Sequence, residues 1–363
     1  MADARLYSLL KDMVDIYSPS GKEHELTDFL HAYLREHLSD RGCSIALQNV
    51  SDDRSNILIQ TPGELQTLFL GHIDTVPAYD IENYQLNEYE NLLYGLGTAD
   101  MKSGCAAMIE AFTRLATRNA LPEGVMLALV VGEEETGDGT QALLESHSFT
   151  SALVAEPTNL QPCLEHYGYT EILVQAFGYR RHAAMSGKDT NAIHAMLRYL
   201  LQLEDYIDTN EPETVLNIRD LHSSESGFAV PDRCSAGLDL HIPPGVDTAD
   251  YAEKLRVLTE EILDASRCTG YELEFPTLAD GYRLMNSDTI PRLLRQVFDD
   301  SRRDWNTAAF TSHSDANLLY AAGCRPVILG PGELAKAHTR DESVAFEQVE
   351  AAADIYSRLL TLL

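Results

Sequence analysis

The sequence predicts an α/β protein in which a mixed, mostly parallel sheet is flanked by helices and an α+β module is inserted. Two observations indicate the sheet. Short apolar runs, at residues 68–70 and 125–131, end abruptly in glycine and polar residues, as strands buried inside a sheet do. Segments with the helical spacing of apolar residues lie between such runs. A third observation, a β-α-β-β-α-β order in the middle of the chain, predicts the inserted module.

The flanking parts of the chain supply the sheet and its helices. Residues 1 to about 40 show helical spacing with a break at Pro19-Ser20-Gly21. Strands are predicted at residues 44–47, 56–59, 68–70, 125–131, 153–155 and 326–329. A glycine-rich loop leads into a helix at about residues 105–118, whose small residues allow close packing on a sheet.

The middle of the chain forms the module. Strands are predicted at residues 170–177, 214–218, 233–242 and 271–275, with helices at about 191–206 and 249–265. This order fits a ferredoxin-like arrangement. We therefore divide the chain into residues 1–166 and 279–363, which form one domain, and residues 167–278, which form the inserted domain.

Composition excludes several classes of function. The chain has 363 residues, and 27 basic against 57 acidic residues give a net charge of −30. Such a surface repels nucleic acids and anionic membranes, so neither is an expected partner. The six cysteines form no Cys-x-x-Cys pair, which argues against a zinc knuckle or a small disulfide scaffold. Charged residues among the first apolar ones argue against a signal peptide, and we expect a cytoplasmic protein.

Potential metal ligands follow the predicted strands. His72 and Asp74 come directly after one strand, three adjacent acids at 133–135 after another, Glu156 after a third and His338 in the loop after a fourth. Asp100 comes from the glycine-rich loop before the helix. Each has an ordinary explanation, since acids cap helices and lie in solvated turns. Together, two histidines and an excess of carboxylates at one edge of a sheet suit two divalent ions that share one acid.

These residues resemble the zinc-dependent M20 peptidase and deacylase family, which includes acetylornithine deacetylase, succinyl-diaminopimelate desuccinylase, aminoacylase and glutamate carboxypeptidase. The motifs are GHIDTVP at 71–77, DMKSG at 100–104, EEETG at 133–137, EPT at 156–158, and GPG at 330–332 followed by AHT at 337–339. They occur in the order of the family and span most of the chain.

The resemblance implies two Zn²⁺ ions per subunit, with Co²⁺ or Mn²⁺ as possible substitutes. It implies that His72 and Glu156 bind one ion, that Glu135 and His338 bind the other, and that Asp100 bridges both. Asp74 would stand behind His72, Glu134 would be the general base, and a cis peptide would follow Asp100.

By the same resemblance the inserted domain is a lid and dimerisation domain, and the protein is a homodimer. His182 would reach the partner's active site and stabilise the oxyanion. The alternative is a surface histidine beside Arg180 and Arg181.

The substrate pocket departs from the family. Phe228 and His241 stand where related deacylases carry an Asn and an Arg that hold the substrate's carboxylate, and a His does not replace an Arg equivalently. Candidate substitutes are Arg181 and Arg233, together with Arg219 and Arg283. The stretch at residues 311–317 resembles a pocket-lining region of the family, which makes Asn317 and His313 candidate substrate contacts, although a plain loop histidine is an equal alternative for His313.

The favoured function is therefore a dinuclear zinc amidohydrolase that removes an N-acyl group from an amino acid, as acetylornithine or acetyl-lysine deacetylases do. The nearest alternative is the same chemistry on a short peptide, by a dipeptidase, tripeptidase or carboxypeptidase. A non-catalytic relative used for binding or dimerisation is a third. Serine hydrolase chemistry has no support, because the chain has no Gly-x-Ser-x-Gly motif.

Overall fold

The computed structural model describes residues 2–186, 191–225, 227–266 and 268–363. The chain divides into two units. Unit 1 comprises Met1–Leu164, Leu284–Phe310 and Ser314–Leu363, and unit 2 comprises Glu165–Arg283 and Thr311–His313.

Unit 1 contains a large sheet, a small three-stranded sheet and helices. Its helices are α1 (Ala2–Asp15), α2 (His24–Leu38), α3 (Lys102–Thr117), α4 (Asp138–Ser146), α7 (Thr289–Asp300), α8 (Asp315–Ala321) and α9 (Phe346–Leu360). Its strands are β1 (Ser44–Ser51), β2 (Arg54–Gln60), β3 (Thr67–His72), β4 (Asn87–Tyr89), β5 (Leu92–Tyr94), β6 (Val125–Val130), β7 (Ser151–Val154), β15 (Ala308–Phe310), β16 (Pro326–Ile328) and β17 (Ser343–Ala345). Strand β8 (Cys163–His166) begins in unit 1 and ends in unit 2.

Unit 2 has two helices and a second sheet. Its helices are α5 (Ala192–Asn210) and α6 (Thr248–Ala265), and its strands are β9 (Gly168–Phe177), β10 (Val215–Ser223), β11 (Arg233–Ile242), β12 (Gly270–Glu274), β13 (Leu278–Ala279) and β14 (Tyr282–Arg283). Short 3-10 helices lie at Ala183–Met185 in unit 2 and at Leu334–Lys336 in unit 1.

The large sheet is mixed, as predicted. Its strand order is β1-β2-β6-β3-β7-β16-β8-β14, and β15 also pairs with β8. The four central strands β6, β3, β7 and β16 pair in parallel, whereas β1, β2 and β8 pair antiparallel. Every residue of β3 and β6 is buried. The continuous apolar runs of these strands therefore reflect a sheet covered on both faces.

Helices cover this sheet through apolar faces. Phe112 of α3 and Tyr356 of α9 both pack edge-on against Phe69 of β3, with ring centroids 5.6 and 6.4 Å apart. Helix α2 buries Leu26, Leu30, Leu34 and Leu38, which recur every four residues on one face. Within the described residues, no helix combines the length and the apolar character needed to cross a bilayer.

Unit 2 has the predicted β-α-β-β-α-β order. Its antiparallel strands are arranged β10-β11-β9-β12, which places the four main strands in the spatial order 2-3-1-4 of a ferredoxin-like module. Alternate residues of β9, Ile172, Val174 and Ala176, join the core formed with α5 and α6. Leu173, between them, is exposed on the other face of the sheet.

Gly104 sets the distance between α3 and β7. A β-carbon at this position would lie 2.4 Å from the carbonyl oxygen of Ala155 and 2.7 Å from its β-carbon. Real β-carbons do not approach other atoms so closely, so only glycine permits this contact. Because Ala155 precedes Glu156, the contact also fixes where Glu156 lies relative to the loop before α3.

We expect Gly104→Ala to destabilise the protein by about 1–3 kcal/mol, because the extra methyl group forces α3 and β7 apart. The matched control is Gly270→Ala, since a β-carbon there would have only one neighbour within 4 Å, at 3.9 Å. Thermal or urea unfolding measures both. Equal unfolding curves for the two variants would contradict this account of Gly104.

Candidate metal centre

The candidate ligands come from the carboxyl ends of the parallel strands of unit 1. His72 is the last residue of β3, and Glu133 and Glu134 follow β6. Glu156 lies two residues after β7. Since β6 and β7 are both parallel neighbours of β3, the three strands end at the same edge of the sheet.

A first cluster consists of His72, Asp100 and Glu156. The candidate ligand atoms of these three residues all lie within 4.8 Å of one another. His72 Nε2 is 3.1 Å from Asp100 Oδ1 and 3.9 Å from Glu156 Oε1. All three side chains are buried.

A second cluster consists of Asp100, Glu134 and His338, again with ligand atoms within 4.8 Å of one another. His338 Nε2 lies 2.9 Å from Glu134 Oε2 and 3.5 Å from Asp100 Oδ2. Asp100 thus belongs to both clusters, and its two carboxylate oxygens face different histidines. The Asp100–Met101 peptide bond is cis, as the resemblance implies.

The structure distinguishes the three adjacent acids by their positions. Glu135 is exposed and belongs to neither cluster, and Glu134 occupies the place beside His338 and Asp100 that we expected for Glu135. Glu133 also lies outside both clusters but is close to the first one, with Oε2 3.8 Å from His72 Nε2.

Hydrogen bonds to the turn at residues 132–137 explain these positions. The carboxylate of Asp74 accepts the backbone N–H groups of Glu133 and Glu134, at 3.2 and 3.1 Å. The carbonyl of Gly132 accepts the N–H groups of Thr136 and Gly137, which closes the turn after Glu134. Glu133 and Glu134 are thereby held in the site, and Glu135 is left on the outside.

Asp74 also lies behind His72, but its backbone makes the shorter contact. His72 Nδ1 is 3.0 Å from the carbonyl oxygen of Asp74 and 3.6 Å from its carboxylate. Nδ1–H donates to that carbonyl, which leaves Nε2 free to bind a cation. The Asp74 carboxylate accepts a further hydrogen bond from the Ser20 hydroxyl, at 2.7 Å.

The electrostatics of the cluster favour a cation. Burial raises the pKa of Glu133 and of Glu156 well above the usual range of a glutamate, and neighbouring carboxylates raise it further. Burial opposes ionisation of Asp100 as well, but the hydrogen bond with His72 lowers the pKa of Asp100 overall. The hydrogen bond with Glu134 raises the pKa of His338 to about 9. The site thus gathers more negative charge than its two imidazoles balance.

The residues fit a divalent ion. Glu156 Oε1 is buried and accepts no hydrogen bond from the described residues, although a buried carboxylate oxygen normally has a partner. Two imidazole nitrogens and three carboxylates are a donor set that borderline ions such as Zn²⁺ prefer. His72, Glu156 and Asp100 could hold one ion, and Glu134, His338 and Asp100 a second.

Glu342 is a residue of this site that the sequence did not reveal. Its buried carboxylate accepts the backbone N–H groups of Gly97, Ala99 and Asp100, at 3.0, 2.9 and 3.1 Å. It therefore joins the loop that carries Asp100 to the segment that follows His338. No sequence signal could have found it, because its partners are backbone groups 242 to 245 residues away.

Lys102 supports the same loop from the other side. It is fully buried, and its Nζ donates to the carbonyl oxygens of Met13 and Ile16, at 2.9 and 3.0 Å. Burial lowers the pKa of Lys102 to about 7. The amine thus holds the end of α1 against the start of α3.

Three predicted residues lie in unit 2 on exposed segments. His182 begins a 3-10 helix, where its Nδ1 accepts the N–H of Ala184 at 3.2 Å. Arg181 lies over the ring of Tyr179, with 5.4 Å between its Cζ and the ring centroid. Arg233 is exposed at the start of β11.

The two remaining predicted residues belong to different units. Asn317 is buried in α8 of unit 1, where its Oδ1 accepts the N–H of Ser314 in a capping box. His313 belongs to unit 2 and packs beside Tyr169, with ring centroids 5.1 Å apart. His241 lies on Tyr169 as well, at 5.5 Å.

Sequence comparisons find a matching family model and similar proteins. Residues 68–362 match the sequence model described as peptidase family M20/M25/M40. An acetylornithine deacetylase from Vibrio cholerae is 26% identical over 98% of this chain and 97% of its own length. A succinyl-diaminopimelate desuccinylase from Corynebacterium glutamicum is 29% identical over 97% of this chain and 95% of its own.

Solved structures share the fold. A tripeptidase from Staphylococcus aureus superposes with a TM-score of 0.81 at 17% identity, over 99% of this chain and 98% of its own. A dinuclear metal binding peptidase from Bacillus subtilis gives 0.73 at 15% identity, over 99% and 98%. The chain therefore belongs to peptidase family M20/M25/M40 and is a hydrolase of amide bonds.

Proposed function

We propose that the protein is a dinuclear zinc amidohydrolase that removes an N-acyl group, such as acetyl, from an amino acid. The observation that carries this proposal is the position of Asp100, whose two carboxylate oxygens each face a histidine of a different cluster. A shared carboxylate between two imidazole sites suits a pair of ions.

Each ion would have three ligands from this chain. His72, Glu156 and Asp100 would hold one, and Glu134, His338 and Asp100 the other, with Co²⁺ or Mn²⁺ as possible substitutes for zinc. Such ions polarise the amide carbonyl and make water a better nucleophile.

Glu133 would be the general base. It is held next to the ligand Glu134 by the same Asp74 carboxylate, yet it belongs to neither cluster. Its raised pKa suits a group that takes a proton from the attacking water and later gives it to the leaving nitrogen.

His182 would stabilise the oxyanion. Because its Nδ1 accepts the N–H of Ala184, its neutral ring carries the proton on Nε2 and presents a hydrogen-bond donor. The side chain is exposed, as a residue that acts in a partner subunit has to be in the isolated chain.

Unit 2 would serve as a lid and as the contact of a homodimer. Strand β10 is at the edge of its sheet and exposes Val215, Ile218 and Leu221 to 51%, 39% and 45%. Exposed apolar residues on an edge strand favour pairing with a second chain.

The relatives favour deacylation over peptide cleavage. The acetylornithine deacetylase and succinyl-diaminopimelate desuccinylase reach 26% and 29% identity over nearly the whole chain, whereas the peptidases resemble it in fold at 18% identity or less. A di-, tri- or carboxypeptidase is the second candidate, because those folds superpose closely. The complete set of ligand residues argues against a non-catalytic relative.

Substrate contacts would come from His313, Asn317, Arg181 and Arg233. His313 and His241 both flank Tyr169, and the buried Nδ1 of His241 has no hydrogen-bond partner among the described residues. Such a nitrogen can bind a polar substrate group. The other two candidates are less suited, since Arg219 already pairs with Asp239 and Arg283 with Glu165.

The cytoplasm is the compartment we assign in this proposal. All six cysteines are free thiols, and four of them are buried. Free thiols are typical of proteins kept under reducing conditions.

The proposal predicts that the protein hydrolyses N-acetylated amino acids faster than dipeptides, and that a chelator abolishes this activity. Adding back Zn²⁺ restores it, because all ligands remain. A panel of N-acetyl and N-succinyl amino acids and of dipeptides, assayed with metal analysis, measures this. Faster cleavage of dipeptides would favour the peptidase alternative, and full activity without metal would contradict both.

The three adjacent acids should respond differently to substitution by glutamine. Glu133→Gln lowers kcat by about 10²–10⁴-fold with both ions retained, since only the base is lost. Glu134→Gln loses metal from the second cluster, and Glu135→Gln, the matched control, stays near the wild type. Metal content and kcat of each variant are measured together. If Glu135→Gln loses metal and Glu134→Gln keeps it, Glu135 is the ligand, as the family resemblance implies.

Glu342 is expected to act as a positioning residue. A glutamine offers one acceptor oxygen, so Glu342→Gln leaves a buried backbone N–H near Asp100 unpaired, at a cost of about 1–3 kcal/mol. We expect metal affinity to fall about 10–100-fold. Calorimetric titration with Zn²⁺ measures this, with the exposed Glu347→Gln as control. Wild-type affinity in Glu342→Gln would contradict the role.

A further inference from the structure

A cavity lies in unit 1 apart from the candidate metal ligands, formed by the segments around residues 78–96 and 339–342. Its volume is about 410 Å³. Its lining includes Tyr79, Asp80, Tyr94, Arg340 and Glu342, and none of these is a candidate metal ligand. Arg340 follows His338 by two residues, so the cavity and the second cluster share one loop.

Arg340 supplies an uncommitted cation to this cavity. Its Cζ lies 3.7 Å from the centroid of the Tyr79 ring, which holds the guanidinium by a cation–π contact. It forms no ion pair among the described residues, in contrast to Arg5, Arg54 and Arg114. The Arg340 side chain is exposed, so the edge of its guanidinium that does not face the Tyr79 ring is open to a ligand.

The two acids of the cavity, Asp80 and Glu342, already accept hydrogen bonds from other groups of the protein. Asp80 accepts hydrogen bonds from the Asn83 side chain, at 2.9 Å, and from the N–H of Glu82, at 3.0 Å. Both oxygens of Glu342 accept backbone N–H groups, as described above. Within the described residues neither carboxylate forms an ion pair with Arg340, so the N–H donors of Arg340 remain available to a ligand.

The walls define the ligand further. The rings of Tyr79, Tyr84 and Tyr94 line the cavity, and the Tyr84 hydroxyl is fixed by its hydrogen bond to the Asp15 carbonyl, at 3.1 Å. A planar guanidinium pairs with a carboxylate through two parallel hydrogen bonds. A doubly charged phosphate would be repelled more strongly by Asp80 and Glu342 than a singly charged carboxylate.

We propose that this cavity, the Arg340 pocket, binds the carboxylate group of a small molecule through the Arg340 guanidinium. The carboxylate comes either from the substrate of the metal centre or from a separate small acid. In the first case the inference rests on the proposed function, and in the second it is independent of it.

Two measurements test the pocket and distinguish these sources. The first compares hydrolysis of an N-acetyl amino acid with hydrolysis of its carboxamide. If the carboxylate is the substrate's, Arg340→Gln lowers the preference for the acid ~10-fold or more. Arg340→Lys retains only part of this preference, because lysine keeps the positive charge but cannot form the two parallel hydrogen bonds of a guanidinium.

The second measurement is calorimetric titration of the metal-loaded protein with succinate, which does not depend on turnover. If a separate acid binds, wild-type protein binds succinate and Arg340→Gln binds it ~10-fold or more weakly, with the acid-to-amide preference unchanged. The control in both measurements is Arg303→Gln, an exposed arginine outside the pocket.

The outcomes separate the two proposals. If no amide substrate is hydrolysed but succinate binding depends on Arg340, the proposed function fails and the pocket stands. If Arg340→Gln and Arg303→Gln match the wild type in succinate affinity and, where turnover is seen, in acid-to-amide preference, the Arg340 pocket is overturned.

Discussion

Repulsion among buried carboxylates is the constraint on which the site depends. Asp100, Glu133, Glu134 and Glu156 converge around two imidazoles at the edge of the sheet. Two like charges 4 Å apart repel by about 4 kcal/mol at the effective dielectric near a protein surface. These carboxylates lie deeper than a surface pair, so their repulsion is screened less. Burial raises the pKa values of Glu133 and Glu156, and repulsion from neighbouring carboxylates raises them further, so without added positive charge some of these acids stay protonated. A fold that keeps these acids together is built for cations.

The ligands are held by groups that are not ligands themselves. Asp74 binds the backbone N–H groups of Glu133 and Glu134, and Glu342 binds those of the loop that ends at Asp100. Both use a buried carboxylate to accept backbone hydrogen bonds, which favours its charged form. The positions of the ligand loops are therefore set by hydrogen bonds within the protein, and a cation enters a site that is already arranged.

The sequence predicted the fold far better than the details of the site. Strands and helices followed from apolar runs and helical spacing because burial itself imposes those patterns. The helix α3 starts at Lys102, three residues earlier than predicted, because Lys102 is buried and pairs with the carbonyls at the end of α1, which a sequence pattern cannot show. Glu342 could not be predicted from the sequence for the same reason, since its partners are backbone groups.

The three adjacent acids show where sequence reasoning reaches its limit. Glu133, Glu134 and Glu135 are chemically identical and adjacent, so composition cannot assign their roles. The backbone of the turn determines where each side chain points. Gly132 adopts a positive φ of 77°, and its carbonyl accepts the hydrogen bonds that close the turn. The Asp74 carboxylate accepts the N–H groups of Glu133 and Glu134. Consecutive side chains then point in different directions, so one acid reaches His338, its neighbour reaches His72, and the third faces solvent. The proposed base Glu133 and the proposed ligand Glu134 can therefore be neighbours in sequence and still face different groups, since Asp74 holds the backbone of both.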